Sequence, residues 1–308
     1  MTNVKMNDIK QYKVDVPKPL KWVGSKHTII DTILSHTNKD ILDAPEFTFI
    51  EPFAGSAALS LYILKHYKNC KRVVINDVNT GLINVYKQIR DNLDELIDLL
   101  SELKYEYIGY EFGDMKRQDM YYRCRDEYNA EPKDTVRSAA LFMFLNKTGF
   151  NGLYRENSKG LYNVSHSRKK NPSILDVDVL KETSTLLQRA ELYNKDFNSV
   201  IKETYNKNEK TFVYFDPPYY VVKNNSEYNR YTAGSFDDSC QKQIKELSDY
   251  IISNGGCTVQ SNSDTRHTDR FFETLYDDER YKIEYIPIRR SIKSGAWQDR
   301  TETLIYSI

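Results

Sequence analysis

Residues 47–77 read FTFIEPFAGSAALSLYILKHYKNCKRVVIND, and this stretch decides the fold. Segment 47–51 is rich in aromatic and β-branched residues, as strands are, and Pro52 ends it. A run of small residues leads into 59–68, which has the pattern of an amphipathic helix. A second strand, 72–76, stops at Asp77. The stretch is a β-turn-α-β unit with an acidic residue at the tip of its second strand, and it predicts an α/β fold.

The rest of the chain changes character twice. Residues from about 82 to 150 carry helical periodicity without strong strand patterns, and the Gly- and Asn-rich stretch 149–164 suits a β-hairpin with glycines at its bends. Strand patterns return at 211–215, 257–260, 281–288 and 303–306. We therefore predict a helical module inserted into an α/β sheet domain.

The composition is that of a globular protein without net charge. The 308 residues are 40% hydrophobic and 29% charged, and their formal charge is zero. No apolar run is long enough to span a bilayer, and the polar N-terminus has no signal core, so we expect a cytoplasmic protein that makes no membrane contact. Since a charge of zero gives no general reason to bind nucleic acid, such binding has to come from basic patches such as 167–170 and 289–293.

The four cysteines, Cys70, Cys124, Cys240 and Cys257, are scattered along the chain. They form no CxxC pair and have no His cluster near them in sequence. We predict reduced thiols rather than disulfides or zinc ligands, and we expect no metal site.

The sequence Asp216-Pro217-Pro218-Tyr219 directly follows the apolar strand 211–215. Two consecutive prolines lock the backbone and fix the direction of the Pro217 carbonyl. That carbonyl and an Asp216 carboxylate oxygen can each accept one N–H of an exocyclic amine, which orients the nitrogen lone pair and stabilises positive charge in the transition state. Tyr219 offers an aromatic face on which a base can stack. We predict these four residues as catalytic; the alternative is a plain strand-ending turn.

The small-residue turn after the first strand predicts a ligand site. In EPFAGSA, residues 51–57, the backbone is open to close approach, and Asp77 lies about 25 residues further on, where an acid can bind ribose hydroxyls. The turn lacks G-x-G-x-x-G, and fewer glycines suffice when there is no pyrophosphate to hold. This favours a nucleoside ligand such as S-adenosylmethionine.

A third motif, KPLKWVGSK at residues 18–26, lies near the start. In the functional interpretation Trp22 lines the ligand pocket and Lys26 contacts a carboxylate of the ligand. In the alternative interpretation the segment is a basic arm with one packed tryptophan.

Taken in order, KWVGSK, EPFAGSA, ND (76–77) and DPPY resemble the motif series of the DNA adenine methyltransferase (Dam) family. The resemblance is to the alpha group of N6-adenine amino-methyltransferases, in which a target-recognition domain separates the cofactor and catalytic motifs. It extends over roughly 19–307 through RDEYN (125–129), LNK (145–147), FNGLYR (150–155), NV (163–164), SNS (261–263) and RRSI (289–292). It implies a Rossmann-like methyltransferase sheet, mixed and of about seven strands, built from residues 1–79 and 176–308. Residues 80–175 would form a helical, hairpin-bearing DNA-binding domain.

The resemblance also implies a cofactor site. S-adenosylmethionine would be bound and S-adenosylhomocysteine released, with the ribose on Asp77 and the adenine of the cofactor near Asp196 and Phe197. A plain helix start is the alternative for that last pair. The full set of implied contacts is Trp22, Lys26, Pro52, Phe53, Gly55, Ser56, Asp77, Asp196, Phe197 and Asp216.

On the DNA side, Arg155 matches the family's guanine-reading arginine, whose fork suits O6 and N7. A solvent-exposed hairpin arginine is the alternative. The further implied DNA contacts are Asn151, Leu153 and Tyr154 in the hairpin and Arg168, Lys169, Arg289 and Arg290 on phosphates. Ser165 and His166 stand where the family commonly has a proline after Asn-Val, so the family's GATC site does not carry over directly.

The resemblance therefore predicts a site-specific, adenine-specific DNA methyltransferase that flips its target base and transfers the methyl group directly. The partners would be a short, GATC-like palindrome in double-stranded DNA and, functionally, a restriction endonuclease. A monomer in the cytoplasm of a bacterium, or of the host of a phage or virus, is expected. Three alternatives stay open: cytosine-N4 methylation, methylation of an amine on RNA or protein, and an inactive nucleic-acid-binding module.

Overall fold

The computed structural model describes residues 14–220, 236–291 and 297–308. In these ranges the strands form one sheet of seven, in the order β3-β2-β1-β4-β5-β7-β6. They are β1 (Phe47–Glu51), β2 (Cys70–Asn76), β3 (Ala190–Tyr193), β4 (Thr211–Phe215), β5 (Cys257–Ser263), β6 (Tyr281–Ser291) and β7 (Trp297–Ser307). Strands β1 to β5 are parallel, and β7 is antiparallel to both of its neighbours. The predicted mixed, seven-stranded sheet is confirmed.

The central strands are apolar because both faces of the sheet are covered. Every residue of β1 and of β4 is buried, including Glu51. Parallel strands between helical layers have this uninterrupted apolar pattern, which is why they stood out in the sequence. Strand β3 did not stand out: it is a short edge strand of which only Ala190 is buried, and the sequence analysis assigned no strand there.

The described helices lie between and around these strands. They are α1 (Ile30–Ser35), α2 (Lys39–Leu42), α3 (Ala58–His66), α4 (Thr80–Asp91), α5 (Leu93–Gly109), α6 (Met115–Ala130), α7 (Val136–Thr148), α8 (Val177–Leu187), α9 (Phe197–Thr204), α10 (Asp238–Ser253) and α11 (Phe271–Leu275). Side chains of Asn79, Asp114 and Thr135 cap α4, α6 and α7. Helices α4 to α7 form the helical module predicted between the second strand and residue 150.

The helical module shares its core with the sheet. Helix α7 is buried along most of its length and packs on α4, α5 and α6, and α4 in turn packs on α8 and β3. Phe49 of β1, Leu100 of α5 and Phe144 of α7 belong to one continuous cluster of buried side chains. The division into two domains at residues 80 and 175 stays a prediction.

The predicted hairpin is present in a reduced form. Residues 150–152 make a 3-10 turn, with positive φ angles of 54° at Asn151 and 64° at Gly152. The chain then reverses at 157–160, and its two arms pair through two isolated antiparallel bridges, Gly149 with His166 and Glu156 with Tyr162. We call residues 149–168 the 149–168 loop.

None of the described helices is long and apolar enough to cross a membrane. The four cysteines are free, as predicted, and Cys70, Cys124 and Cys257 are buried. Burial raises the pKa of the Cys70 and Cys257 thiols to about 12, which keeps them protonated and unreactive.

Candidate active site

The strand order brings two sequence motifs to one crevice. Strand β1 pairs in parallel with β4, with Ile50 opposite Val213, so the turn at 52–57 and the motif at 216–219 leave the same edge of the sheet side by side. The strand order reverses between β1 and β4. In open α/β sheets ligands bind at the carboxyl ends of the strands where this reversal occurs.

Lys26 joins the N-terminal motif to the catalytic motif. Its side chain is only 5% exposed, and its Nζ lies 2.7 Å from Asp216 Oδ1. The ammonium also donates to the Gly24 carbonyl at 2.8 Å. The functional interpretation of the N-terminal motif assigned Lys26 to a carboxylate of the ligand, and in the structure its ammonium is paired with Asp216.

The motif Asp216–Tyr219 is held from the neighbouring strand β5. Directly after it, the Tyr220 N–H donates to Asn262 Oδ1 at 2.8 Å, and the Ser263 hydroxyl donates to the Tyr220 carbonyl at 2.7 Å. The Tyr220 ring stacks on Phe271 with 4.3 Å between ring centroids. Tyr220 is therefore an anchor, and Tyr219 is the tyrosine at the crevice.

The side chain of Tyr219 is fixed at two points. Its hydroxyl donates to Glu302 Oε1 at 2.6 Å, and Lys26 Nζ lies 5.2 Å from the centroid of its ring. Glu302 lies in β7 and is 5% exposed. Glu302 was not predicted from the sequence, in which it is only an acid directly before the apolar stretch 303–306.

Asp77 orders the small-residue turn. Its Oδ2 accepts the Gly55 N–H at 3.0 Å and its Oδ1 accepts the Asn79 N–H at 2.9 Å. Gly55 has a φ of 48°, which favours glycine, and its carbonyl accepts the hydroxyl of buried Tyr86 at 2.7 Å. Burial raises the pKa of Asp77, while these amide contacts oppose the rise. Tyr86 is a second residue that the sequence analysis missed.

Trp22 lies directly over this turn. A Cβ added to Gly55 would come within 2.7 Å of Trp22 Nε1, so only glycine leaves room for the indole. Next to it, the hydroxyls of Ser25 and Ser56 are 2.9 Å apart. Trp22 is half-buried, and its indole lies against the turn at 52–57.

An aromatic cluster closes the other side of the turn. Phe53 lies 5.2 Å from Phe197 and 5.6 Å from Phe236, centroid to centroid. Asp196 caps α9, its Oδ1 accepting the N–H groups of Asn198 and Ser199, and hydrogen bonding to Ser199 lowers its pKa. Asp196 therefore begins α9, and its neighbour Phe197 faces Phe53. Pro52 is held through its carbonyl, which accepts from Asn76 Nδ2 at 2.8 Å.

Glu51 places an acid beneath the crevice. Its Oε2 accepts the Ser60 N–H at 3.1 Å and also the Ser60 hydroxyl. Burial raises the pKa of this carboxyl to about 8. The sequence analysis quoted Glu51 only as part of its motif and gave it no role.

Arg155 is oriented within the 149–168 loop. Its Nε donates to Asn163 Oδ1 at 2.6 Å and its Nη2 donates to the Asn163 carbonyl at 3.1 Å. Tyr154 stacks between Trp22, at 6.1 Å, and Phe142, at 5.4 Å. The loop is therefore in direct contact with the tryptophan that covers the small-residue turn.

Three lysines converge at the base of the same loop. Lys21 Nζ donates to the Lys147 carbonyl at 3.0 Å. Burial and the neighbouring charges of Lys169 and Lys147 lower the pKa of Lys21 to about 8, and burial lowers that of Lys147 to about 8. Cations crowded in this way favour binding of an anion. Of the three, the sequence analysis named only Lys169.

The other predicted DNA contacts are placed as follows. Asn151 and Arg168 are exposed on the 149–168 loop, Lys169 is exposed directly after it, and Leu153 is half-buried within it. The backbone of Arg289 and Arg290 lies in β6, opposite Asp299 and Gln298 of β7. The side chains of these two arginines lie outside the described residues.

The mixed sheet reverses its strand order between β1 and β4. A small-residue turn follows β1, an acid follows β2, and Asp-Pro-Pro-Tyr follows β4. Together these features define a methyltransferase of amino groups. The chain belongs to the D12 class N6 adenine-specific DNA methyltransferase family, whose model matches residues 22–292. The protein therefore methylates adenine N6 in DNA with S-adenosylmethionine as its cofactor, as the family resemblance implied.

Named relatives span nearly the whole chain. The chain is 35% identical to the type II methyltransferase M.MjaIII of Methanocaldococcus jannaschii, over 96% of this chain and 98% of that protein. It is 30% identical to the type II methyltransferase M1.LlaDCHI of Lactococcus lactis subsp. cremoris, over 97% and 98% of the two chains. It is 27% identical to the DNA adenine methylase of Escherichia coli strain K12, over 93% of each. The family decides among the alternatives in favour of adenine N6.

Proposed function

We propose that the protein is a site-specific methyltransferase that flips an adenine out of duplex DNA and holds it on residues 216–219. The observation that carries this proposal is the ion pair between Lys26 and Asp216. It joins the N-terminal motif to the motif after β4, and the pairing of β1 with β4 brings the turn at 52–57 to the same edge of the sheet.

The residues of the crevice fit a nucleoside that carries a cationic sulfur. Asp77 stands at the end of β2, beside a turn that Gly55 leaves open, and Phe53 and Phe197 offer aromatic surface nearby. Asp216 supplies negative charge close by. Within this set we assign the ribose to Asp77 and the cofactor's adenine to the surface of Phe53 and Phe197. The remaining contacts are assigned to Trp22, Lys26, Pro52, Gly55, Ser56, Asp196 and Asp216.

When bound, S-adenosylmethionine would supply the methyl group from its sulfonium, whose S–C bond breaks to leave S-adenosylhomocysteine. In the proposed mechanism an Asp216 carboxylate oxygen and the Pro217 carbonyl accept the two N6–H groups of adenine, which turns the nitrogen lone pair towards the donor. Pro217 and Pro218 keep that carbonyl in place, and Tyr219 stacks on the base. As the N–C bond forms, positive charge grows on N6 beside these two acceptors and is stabilised there. The methylated nitrogen then loses one proton to water. No covalent enzyme intermediate is required.

Lys26 keeps Asp216 in its charged, hydrogen-bond-accepting form. An ammonium at 2.7 Å favours the carboxylate over the neutral acid. Its second bond, to the Gly24 carbonyl, fixes its position, so the pair is built before any ligand arrives.

For DNA recognition we assign residues 80–175 as the target-recognition domain. Arg155, held by Asn163, suits a guanine, with Asn151, Leu153 and Tyr154 beside it. The cluster of Lys21, Lys147 and Lys169 suits a polyanion, and we add Lys21 and Lys147 to the DNA-facing residues. Arg168, Arg289 and Arg290 are assigned to phosphates. In the same loop Ser165 is exposed, whereas His166 is half-buried with its Nε2 2.6 Å from the Tyr107 hydroxyl. Because these two residues replace the family's usual pattern, the target sequence has to be measured.

We also propose that the enzyme works as a monomer in the cytoplasm of its cell. A restriction endonuclease of the same specificity is the functional partner we propose. The support for this partner is that two relatives are themselves type II methyltransferases.

The test is to express the chain in a host that lacks adenine methylation and to map N6-methyladenine by single-molecule sequencing. Methylation confined to one short motif is the expected result and gives the site. Asp216→Ala should abolish the methylation yet bind S-adenosylmethionine, whereas Asp119→Ala, an exposed site on α6, should leave both unchanged. Near-normal turnover of Asp216→Ala would refute the mechanism, and methylation spread over all adenines would refute site specificity.

A further inference from the structure

Tyr219 and Glu302 are 83 residues apart in the chain and are joined by a 2.6 Å hydrogen bond from the phenol to the carboxylate. Glu302 is 5% exposed and lies in β7, a strand that holds none of the motifs of the cofactor or catalytic site. A carboxylate is costly to bury, and a strand can be completed without one. We therefore expect the buried carboxylate of Glu302 to serve the contact that it makes with Tyr219.

The register of the sheet shows how the contact is built. Glu302 is directly opposite Ser263 in the antiparallel pairing of β5 with β7. Residues opposite each other in such a pair point to the same face of the sheet. The Ser263 hydroxyl holds the Tyr220 carbonyl, and Glu302 holds the Tyr219 hydroxyl. One cross-strand pair thus fixes the backbone of one residue and the ring of the residue before it.

We propose that Glu302 is a positioning residue that holds the Tyr219 ring as a preformed stacking surface for the target base. This inference rests on the proposed function, in which Tyr219 stacks on the flipped adenine. Glu302 touches neither the base nor the cofactor in this scheme and acts through Tyr219.

The physical advantage is that the ring is ordered before the base arrives. A tyrosine tethered only at its Cα loses rotamer freedom when it stacks, and that loss weakens capture of the base. A hydrogen bond to a charged acceptor is short and strong enough to remove this loss in advance. The base then meets a surface in the orientation that the Asp216 and Pro217 acceptors require.

The experiment is a double-mutant cycle on Tyr219→Phe and Glu302→Leu, with Glu302→Gln as the conservative variant. Base capture is read from the fluorescence of 2-aminopurine placed at the target adenine of the mapped site. Methyl transfer is read from single-turnover rates on unmodified DNA. Each single variant should lose about tenfold in rate, the order expected for a hydrogen bond to a charged group. Both should also reduce the fluorescence increase, while affinity for S-adenosylmethionine stays unchanged.

Two comparisons test whether these losses come from the hydrogen bond between Tyr219 and Glu302. The double variant should be no worse than either single variant, because both remove the same contact. Glu302→Gln should keep most of the rate and signal, since its amide oxygen still accepts from the phenol. Additive losses, or a wild-type rate and signal in Tyr219→Phe, would overturn the inference.

If Glu302→Leu misfolds, the inference is still tested, because Tyr219→Phe and Glu302→Gln are compared by the same fluorescence and single-turnover rate. Failure of the proposed function looks different. If the wild-type enzyme methylates DNA but shows no fluorescence increase, base flipping and the role of Glu302 both fail. If the wild-type signal is present and Tyr219→Phe retains it, the role of Glu302 alone fails.

Discussion

The ammonium nitrogen of Lys26 lies 2.7 Å from Oδ1 of Asp216, and the two residues come from opposite ends of the motif series. Lys26 is buried and Asp216 is mostly buried, so the attraction between them is screened little by water. The pair explains why a lysine belongs in the N-terminal motif even before a cofactor carboxylate is considered.

Removing this cation should slow methyl transfer. Lys26→Met leaves the Asp216 carboxylate without its ammonium, and we expect the single-turnover rate to fall roughly 100-fold, the size seen when one catalytic electrostatic contact is lost. Lys65→Met is the matched control, since Lys65 pairs with Asp15 and Glu182 away from the crevice. An equal loss in both variants would assign the effect to the fold and not to Asp216.

Gly55 should be required for cofactor binding. In Gly55→Ala the new Cβ meets Trp22 Nε1 at 2.7 Å and the backbone keeps a φ of 48°, so the turn or the indole has to move. We expect affinity for S-adenosylmethionine, measured by calorimetry, to fall at least about tenfold, which is 1.4 kcal/mol. Gly109→Ala, whose Cβ meets nothing within 4 Å, should bind normally. Normal binding by Gly55→Ala would remove Trp22 from the cofactor site.

Glu51 should make the stability of the protein fall as the pH rises. Burial raises the pKa of Glu51 from 4.5 to about 8, so between these values the folded protein holds a proton that the unfolded chain has lost. The free energy of unfolding then decreases with rising pH, by on the order of 1 kcal/mol per pH unit for one such group.

Glu51→Gln removes this titration. The free energy of unfolding in urea is measured for Glu51→Gln and for wild type. The value for Glu51→Gln minus the value for wild type should increase from pH 5 to pH 8. Glu95→Gln, at an exposed position of α5, should run parallel to wild type. A constant difference between wild type and Glu51→Gln over that range would show that the carboxyl is not protonated in the folded protein.

Arg155 should carry base discrimination. Lysine at this position keeps the charge but lacks the fork that matches two guanine acceptors. The binding free energy to the mapped site is compared with that to a site whose guanine pair is exchanged. In Arg155→Lys this free-energy difference should shrink by about 1–3 kcal/mol. Arg123→Lys, on the exposed face of α6, serves as the control for lost guanidinium chemistry. If the ratio is unchanged, the guanine is read by another residue.

The parts of this protein that could be predicted from sequence are those with a local pattern. Strands β1 and β4 are continuous apolar runs because helices cover both faces, and the motifs that follow them have distinctive compositions. Strand β3 escaped prediction because it is short and lies at an edge, where burial leaves little pattern.

The missed residues are those whose partners are distant in the chain. Glu302 reaches Tyr219 through the pairing of β5 with β7, and Tyr86 of α4 donates to the Gly55 carbonyl, 31 residues away in the chain. Neither has an unusual neighbourhood in sequence, so only the fold reveals it. For Lys26 the sequence indicated an anionic partner, but local pattern cannot choose between a ligand and Asp216.

The segment around Trp22 belongs physically to two parts of the protein. Trp22 covers Gly55 and stacks on Tyr154, while Asn146 of α7 holds both the N–H and the carbonyl of Lys21, at 2.9 and 2.7 Å. A chimera that takes only residues 80–175 from a relative would set a foreign loop against a native tryptophan and lysine. Exchange of specificity between members of the family therefore has to move residues 20–26 together with the insert, and evolution is expected to have changed the two pieces in step.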